Sequence, residues 1–247
     1  MKAMIFAAGL GTRLQPLTLT MPKALVPMRG KPMLQHVIEH LRDAGFNDFV
    51  VNVHHFGEQI IDFLSANHNF GIDIHVSDER DLLLDPGGGI LKAREWLDGD
   101  EPFLVHNADI LTNLDLRKFY NKHVESGADA TLLVKSRKTQ RYLVFNQENT
   151  KLCGWINKST GETRPQGFVP ANNQVELAFG GVHMISPTIF DALQDFTTEK
   201  KFSIIPFYVA NTQNLDIRGY APAADSYQWF DVGKIETLQQ AEREFVG

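Results

Sequence analysis

The chain has 247 residues, 43% apolar and 22% charged, which excludes general disorder and leaves room for one large domain with a substantial core. Its formal charge of −6 excludes the broad basic surface of a nucleic-acid binder, while local phosphate binding stays open. Cys153 is the only cysteine, so neither an intramolecular disulfide nor a cysteine-based zinc site can form, and a reducing compartment is implied.

Ala3 to Ala8 is a short apolar run with the pattern of a fully buried parallel strand. Lys2 ahead of it loosely imitates a signal peptide, but the run passes directly into Gly11-Thr12-Arg13 without a cleavage site. No apolar stretch approaches the ~20 residues of a membrane span, so the cytoplasm is the expected compartment and no membrane partner is expected. Met33, Leu34, Val37, Ile38 and Leu41 recur at helical spacing, with Gly45 at the helix end. Strands are then predicted at Phe49 to Val53, Ile72 to Val76, Phe103 to His106 and Ala130 to Val134. Helices are predicted between them at Glu58 to Ala66, Gly88 to Leu97 and Leu114 to Val124. The later part is less regular. Leu143 to Phe145, Lys151 to Ile156, Val175 to Ile185 and Leu215 to Tyr220 read as strands, and Pro187 to Phe196 and Ser203 to Ala210 as helices. Ser159 to Asn173, polar and rich in Gly and Pro, reads as a loop and a candidate mobile lid. Tyr227 to Val232 leads into a last helix, Ile235 to Phe245, which either packs at a homo-oligomer interface or closes the domain.

Strands alternating with helices specify an α/β fold: a Rossmann-like, mostly parallel sheet with helices on both faces. No linker divides the chain, so residues 1–247 are expected to form a single domain with a regular half, 1–135, and an elaborated half, 136–247. Ligands of such sheets bind outside the carboxyl ends of the strands. The longest segment there is Gly9 to Lys31, against the usual ~2–6 residues of a βα loop. It carries Gly9, Gly11, Gly30, Arg13, Lys23, Arg29 and Lys31, and no acid at all. Glycines let backbone N–H groups crowd an anion and the cations supply countercharge, so phosphate binding is the natural inference. A Walker A run is absent, and the dinucleotide fingerprint fails because Leu14 stands where its third glycine belongs. What remains is Gly-x-Gly-Thr-Arg with Pro22-Lys23 downstream.

Ala7-Ala8-Gly9-Leu10-Gly11-Thr12-Arg13-Leu14, with Pro16-Leu17-Thr18 and Pro22-Lys23-Ala24-Leu25-Val26-Pro27, resembles the signature of the sugar-1-phosphate nucleotidyltransferases, the nucleotide-sugar pyrophosphorylases. The resemblance continues in order through Pro32, Pro86-Gly87-Gly88-Gly89, Asn107-Ala108-Asp109 and Trp229-Phe230-Asp231-Val232-Gly233. It implies the nucleotide-diphospho-sugar transferase fold, with 1–135 as a nucleotide-binding half and 136–247 as a sugar-binding half that completes the metal site. It implies small-molecule substrates, a nucleoside triphosphate and a sugar 1-phosphate, and Mg2+ as cofactor.

By the same resemblance, Gly9, Gly11 and Thr12 wrap the phosphates. Arg13 holds the β/γ phosphates, and Lys23 neutralises the α-phosphate and orients the sugar phosphate. Asp109 and Asp231 are the expected metal ligands. The base lies against Ala8 and Gly9, with Asp85 to Gly88 opposite. Asn107 and Gly181, the latter in Phe179-Gly180-Gly181 at the family's Asn-x-Gly position, are candidate sugar contacts. Two departures stand out. Ala108 replaces the glycine that many relatives carry before the metal aspartate, and the Glu-Lys-Pro segment that holds the sugar in many relatives is absent. Short chains of this kind resemble the N-acetylmuramate-1-phosphate uridylyltransferases of cell-wall recycling, with mannose-1-phosphate guanylyltransferases close by. A phosphocholine cytidylyltransferase, a molybdenum-cofactor nucleotidyltransferase and a non-catalytic nucleotide sensor are the other readings, and fused acetyltransferase or β-helix forms are not expected.

Adjacent residues on a strand point to opposite faces, so His54-His55 makes a poor chelate. No nucleophile elbow exists for a hydrolase, and Cys153 has no nearby histidine in sequence. Tyr227, Trp229 and Phe230 could stack a ligand, with at least one expected in the core.

Overall fold

The computed structural model describes residues 1–246. In chain order, β1 (Lys2–Phe6) enters the long loop, which ends in a small hairpin, β2 (Pro27–Met28) and β3 (Lys31–Pro32). Then come α1 (Met33–Asp43), β4 (Asp48–Val53), α2 (Gly57–Ala66), β5 (Asp73–Asp78), α3 (Asp85–Lys92), α4 (Arg94–Leu97), β6 (Phe103–Asn107), β7 (Ile110–Thr112), α5 (Leu116–Ser126) and β8 (Ala130–Lys135). The later half holds β9 (Arg141–Asn146), β10 (Leu152–Asn157), β11 (Thr163–Arg164), β12 (Gln174–Ile185), α6 (Phe190–Asp195), α7 (Ile204–Ala210), β13 (Ile217–Tyr220), β14 (Trp229–Asp231) and α8 (Ile235–Glu244).

The frame is a sheet in which β5, β4, β1 and β6 are parallel neighbours. β12 runs antiparallel to β6, β8 antiparallel to β12, and β13 parallel to β8, so β12 alone opposes the common direction of this central sheet. Residues of β1 alternate between its two faces. Ala3 and Ile5 pack with Leu34, Val37, Ile38 and Leu41 of α1, while Met4 packs with Ile90 of α3 and with Phe190 and Phe207. A strand covered on both faces reads as a continuous apolar run, which is why β1, β4 and β6 were legible from sequence.

β12 is longer than its neighbours need. Val182 to Ile185 pair with β6, while Gln174 to Leu177 leave the main sheet to pair with β9. The register shifts between Phe179 and His183. Gly181 sits at φ +74 there, and a Cβ on Gly180 would lie 3.0 Å from the Leu133 carbonyl. The glycines therefore bend the strand out of one sheet layer into an antiparallel annex of β9, β10 and β11.

Two expectations need correction, and one strand was not expected. The helix expected from Gly88 starts at Asp85, so Gly87, Gly88 and Gly89 lie inside α3. They lie there because α3 packs too closely for side chains: added Cβ atoms would lie 2.4 Å from the Phe202 ring, 2.1 Å from the Lys200 carbonyl oxygen and 2.8 Å from the Phe6 ring. Close approach outweighs the poor helix propensity of glycine. The segment 159–173 is not structureless: it contains β11, paired with β10, and the Phe168 ring lies against Gly154. β7, only three residues long, was too short to be read from periodicity. Pro206 sits in the first turn of α7, where its missing N–H costs no helical bond. The last helix closes the domain: Leu238, Ala241 and Phe245 pack on Leu14, Val26, Met28 and Met33 of the long loop and α1. No helix among the described residues is long and apolar enough to cross a membrane.

Candidate active site

The loop after β1 is built around its own backbone. Gly11 adopts φ +67, and its carbonyl accepts from the Leu14 amide at 2.9 Å and from Thr18 Oγ1 at 2.8 Å. A side chain at Gly11 would strike Thr18 and Lys23, which bounds how tightly the loop is folded. Thr12 and Arg13 follow in a single 3-10 turn, Thr12–Leu14, anchored by buried Leu14. Pro22 opens the third 3-10 turn of the loop, Lys23–Leu25, which presents Lys23 to the carboxyl end of the sheet.

There Lys23 Nζ forms an ion pair with Asp109 Oδ2. Asp109 lies between β6 and β7, and β7 pairs with β14 so that Ile110 faces Asp231. The Val232 amide donates to the Asp109 carbonyl at 2.9 Å, which binds the two aspartate-bearing segments side by side. Gly233 is the hub. Its amide donates to Asp231 Oδ1 at 3.1 Å, and a Cβ there would lie 2.7 Å from the Arg13 guanidinium, 2.8 Å from Asp231 Oδ1 and 3.3 Å from Lys23 Nζ. Residues far apart in sequence thus place two cations and two carboxylates around one point.

Beside this centre lies a cavity of about 220 Å3. Ala8, Gly9, Lys23, Asp85, Asn107 and Asp109, all expected at the site, line it. Asp85 adopts φ +58, a left-handed conformation that Asp tolerates better than most residues. Gly88 does not reach the cavity: its face is spent on the Lys200 carbonyl and its amide donates to the Phe202 carbonyl at 3.2 Å. Gly181 lies behind Asn107, where a Cβ would lie 3.1 Å from Asn107 Nδ2. Ala108 is buried, with its amide bonded to the Phe6 carbonyl at 3.0 Å, so a methyl group is accommodated where many relatives carry glycine.

Sequence reasoning missed Asn52 and Glu79, both about 1% exposed. Asn52 Oδ1 accepts from the Ala7 amide at 2.7 Å and the Ala8 amide at 3.3 Å. Asn52 Nδ2 donates to Glu79 Oε1 at 2.8 Å, and Glu79 Oε2 accepts from the Leu84 amide at 3.0 Å. This chain of bonds ties the two walls of the cavity together. Its one sequence signal was a polar residue inside the apolar run Phe49-Val50-Val51-Asn52-Val53.

The histidines are structural. His54 Nδ1 bonds to the Glu79 carbonyl at 2.7 Å, and His55 packs on Phe56. His106, fully buried, has its pKa pushed down to about 4 by desolvation, and its Nδ1–H donates to the Asn107 carbonyl at 2.9 Å. Cys153 is half-buried, and burial pushes its thiol pKa up. Tyr227 joins the core, while the Trp229 indole N–H donates to the Gly180 carbonyl at 2.8 Å. Among the described residues no cluster of three or more His, Cys, Asp or Glu forms a metal site. Two carboxylates beside a glycine-rich cationic loop still suit a hard divalent cation, which commonly takes one or two carboxylates and fills its shell with phosphates and water.

The chain is 31% identical to the N-acetylmuramate alpha-1-phosphate uridylyltransferase of Neisseria meningitidis, over 98% of this chain and 97% of that protein. It is 29% identical to the UTP–glucose-1-phosphate uridylyltransferase of Synechocystis, over 98% of this chain and 63% of the relative. It is 31% identical to the catalytic subunit beta of Dictyostelium discoideum mannose-1-phosphate guanylyltransferase, over 95% of this chain and 61% of the relative. It therefore spans less than two thirds of the length of the latter two. Among solved structures, a Bacillus anthracis protein provisionally named glucose-1-phosphate thymidylyltransferase superposes with a TM-score of 0.81 at 19% identity, covering 100% of this chain and 97% of that one. HddC of Yersinia pseudotuberculosis superposes at 0.76 and 20% identity, covering 99% of each chain. The nucleotidyl transferase family profile matches residues 2–246, and the chain belongs to that family, among the sugar-1-phosphate nucleotidyltransferases.

Proposed function

We propose that the protein makes a nucleotide sugar and pyrophosphate from a nucleoside triphosphate and a sugar 1-phosphate, with UTP and N-acetylmuramate 1-phosphate as the substrates. The observation that carries this reading is the convergence of Arg13, Lys23, Asp109 and Asp231 about Gly233.

A sugar-phosphate oxygen attacks the α-phosphorus, a new P–O bond forms, and the bond to the β-phosphate oxygen breaks as pyrophosphate leaves. The nucleophile is already an anion, so no protein base is needed. Catalysis rests on positioning and charge neutralisation. Backbone groups of Gly9, Gly11 and Thr12 bind the triphosphate. Arg13 meets the β/γ oxygens, where charge accumulates. Lys23 exchanges Asp109 for phosphate oxygens and steers the incoming sugar phosphate in line. The Asn52–Glu79 chain keeps Ala7 and Ala8 fixed where the base lies. Asp109 and Asp231 would hold Mg2+, which when bound supplies further neutralisation of the phosphates.

The choice of UTP and the muramate ester leans on the relative that matches this chain over nearly its whole length. The test is pyrophosphate release with Mg2+, crossing UTP, GTP, CTP and dTTP against N-acetylmuramate, mannose and glucose 1-phosphates. The UTP and muramate combination is expected to exceed every other. A dominant signal elsewhere reassigns the substrates. Nucleotide binding without any release points to a sensing role.

A further inference from the structure

We infer that a second, cationic cleft next to the sugar end of the site binds a carboxylate carried by the sugar 1-phosphate, with Arg137 as its anchoring residue. This rests on the catalytic reading above and names the substrate class: acidic sugar 1-phosphates.

The cleft, about 520 Å3, lies between the annex of β9 and β10 and the start of α7, and its walls include Arg137, Arg141, Tyr142, Trp155, Asn157 and Phe179. It begins close to the reacting centre. Phe179 precedes the Gly180-Gly181 bend, Gly180 accepts from the Trp229 indole, and Gly181 lies against Asn107 in the wall of the first cavity. Trp229 itself stands two residues before Asp231.

The charges here are unbalanced. Arg164, at the far side, is paired with Glu162 at 2.9 Å. Among the described residues, Lys135, Arg137 and Arg141 have no carboxylate partner. Arg137 Nη2 reaches only the Phe179 carbonyl, at 3.4 Å, and its buried Nε has no partner at all. Buried polar groups are almost always satisfied, so Arg137 is under-bonded for its position and its exposed guanidinium edge is left to meet an anion. Lys135 and Arg137 also lie over the same ring, 4.6 and 5.1 Å from the Trp229 centroid. Burial and the Arg137 charge together lower the Lys135 pKa. Of the two, Arg137 lines the cleft, and an anion bound there offsets the concentration of positive charge. Arg13 and Lys23 already serve the phosphates, so this anion is a different one. A guanidinium fork matches a carboxylate in two-point geometry. Two sugar classes supply such a group: those with an ether-linked lactate, as in muramate, and uronates.

The test is steady-state selectivity with the nucleoside triphosphate that supports turnover. N-acetylmuramate 1-phosphate is compared with N-acetylglucosamine 1-phosphate, and glucuronate 1-phosphate with glucose 1-phosphate, in wild type, Arg137→Met and Arg137→Lys. In the wild type, kcat/KM is expected to favour the acidic member of one pair at least tenfold, and that pair identifies the source of the carboxylate. Arg137→Met should lower this ratio at least tenfold, mainly through KM, and Arg137→Lys should restore part of it. Equal use of acidic and neutral esters by the wild type overturns the inference without any variant. So does an Arg137→Met enzyme in which both members of the pair fall equally. A wild type that makes no product from any sugar 1-phosphate defeats the catalytic reading and this inference with it; a preference for neutral sugars defeats the inference and the choice of the muramate ester, and leaves nucleotidyl transfer to a sugar 1-phosphate standing.

Discussion

The loop after β1 and the approach to the annex of β9 to β11 both present cations, and the pairing of those cations differs. In the loop, Lys23 is already paired with Asp109. At the approach to the annex, Lys135 at the end of β8, Arg137 in the connection that follows and Arg141 at the start of β9 stand without carboxylates among the described residues. The loop rises from a strand buried on both faces, and Asn52 and Glu79 brace it from behind. The annex hangs from a bent strand at the sheet's antiparallel end. On the proposed reading the labour is divided: the reacting groups gather at the carboxyl edge of the parallel strands, and substrate choice falls to the antiparallel end of the sheet.

Breaking the loop side should give the largest effect. Asp109→Ala or Lys23→Ala is expected to lower turnover at least about a hundredfold while the far-ultraviolet circular dichroism spectrum is unchanged. Wild-type pyrophosphate release by either folded variant would remove that residue from the mechanism. A smaller effect should follow at the brace. Asn52→Ala leaves the Ala7 and Ala8 amides and Glu79 without their partner, which costs about 2–3 kcal/mol by denaturant unfolding and raises the KM for nucleotide. A loss below about 0.5 kcal/mol would mean that the two walls hold themselves apart without this network.

The smallest effect concerns a buried histidine on α5. His123 bonds to Thr131 and Ser186, and burial lowers its pKa from 6.5 to about 4. The folded state therefore binds its proton less readily than the unfolded chain. Its contribution is complete above the unfolded value near 6.5 and is lost as pH falls from there towards 4. Between pH 7.5 and 6 the wild type should lose about 0.8 kcal/mol more than His123→Asn, read from urea melts at each pH. Parallel pH curves for the two proteins would show that this histidine does not titrate on unfolding.

The contrast also marks what the sequence could reveal. The parallel half was legible because Ala3 to Phe6, Phe49 to Val53 and Phe103 to His106 are buried on both faces and so read as apolar runs. Arg13, Lys23, Asp109 and Asp231 were found through their motifs, whose spacing is local. What brings Asp231 to Asp109 was not legible, because β7 and β14 are three residues each and meet across a long stretch of chain. Nor was the close approach of the Lys200 carbonyl to Gly88. The cationic cleft escaped for a related cause: Arg137, Arg141 and Trp155 converge only after Gly180 and Gly181 bend β12.

The placement of Trp229 has an optical consequence. The protein has three tryptophans, and Trp96 is stacked on His75, remote from the site. Of the other two, Trp155 lies in the wall of the cationic cleft, and Trp229 lies beneath Lys135 and the cleft residue Arg137 with its indole N–H donating to the Gly180 carbonyl. An anion drawing those cations off the ring changes the field at the indole. The emission of Trp229, isolated by replacing Trp96 and Trp155 with phenylalanine, then becomes a built-in reporter of sugar arrival, separable in a stopped-flow trace from the later release of pyrophosphate.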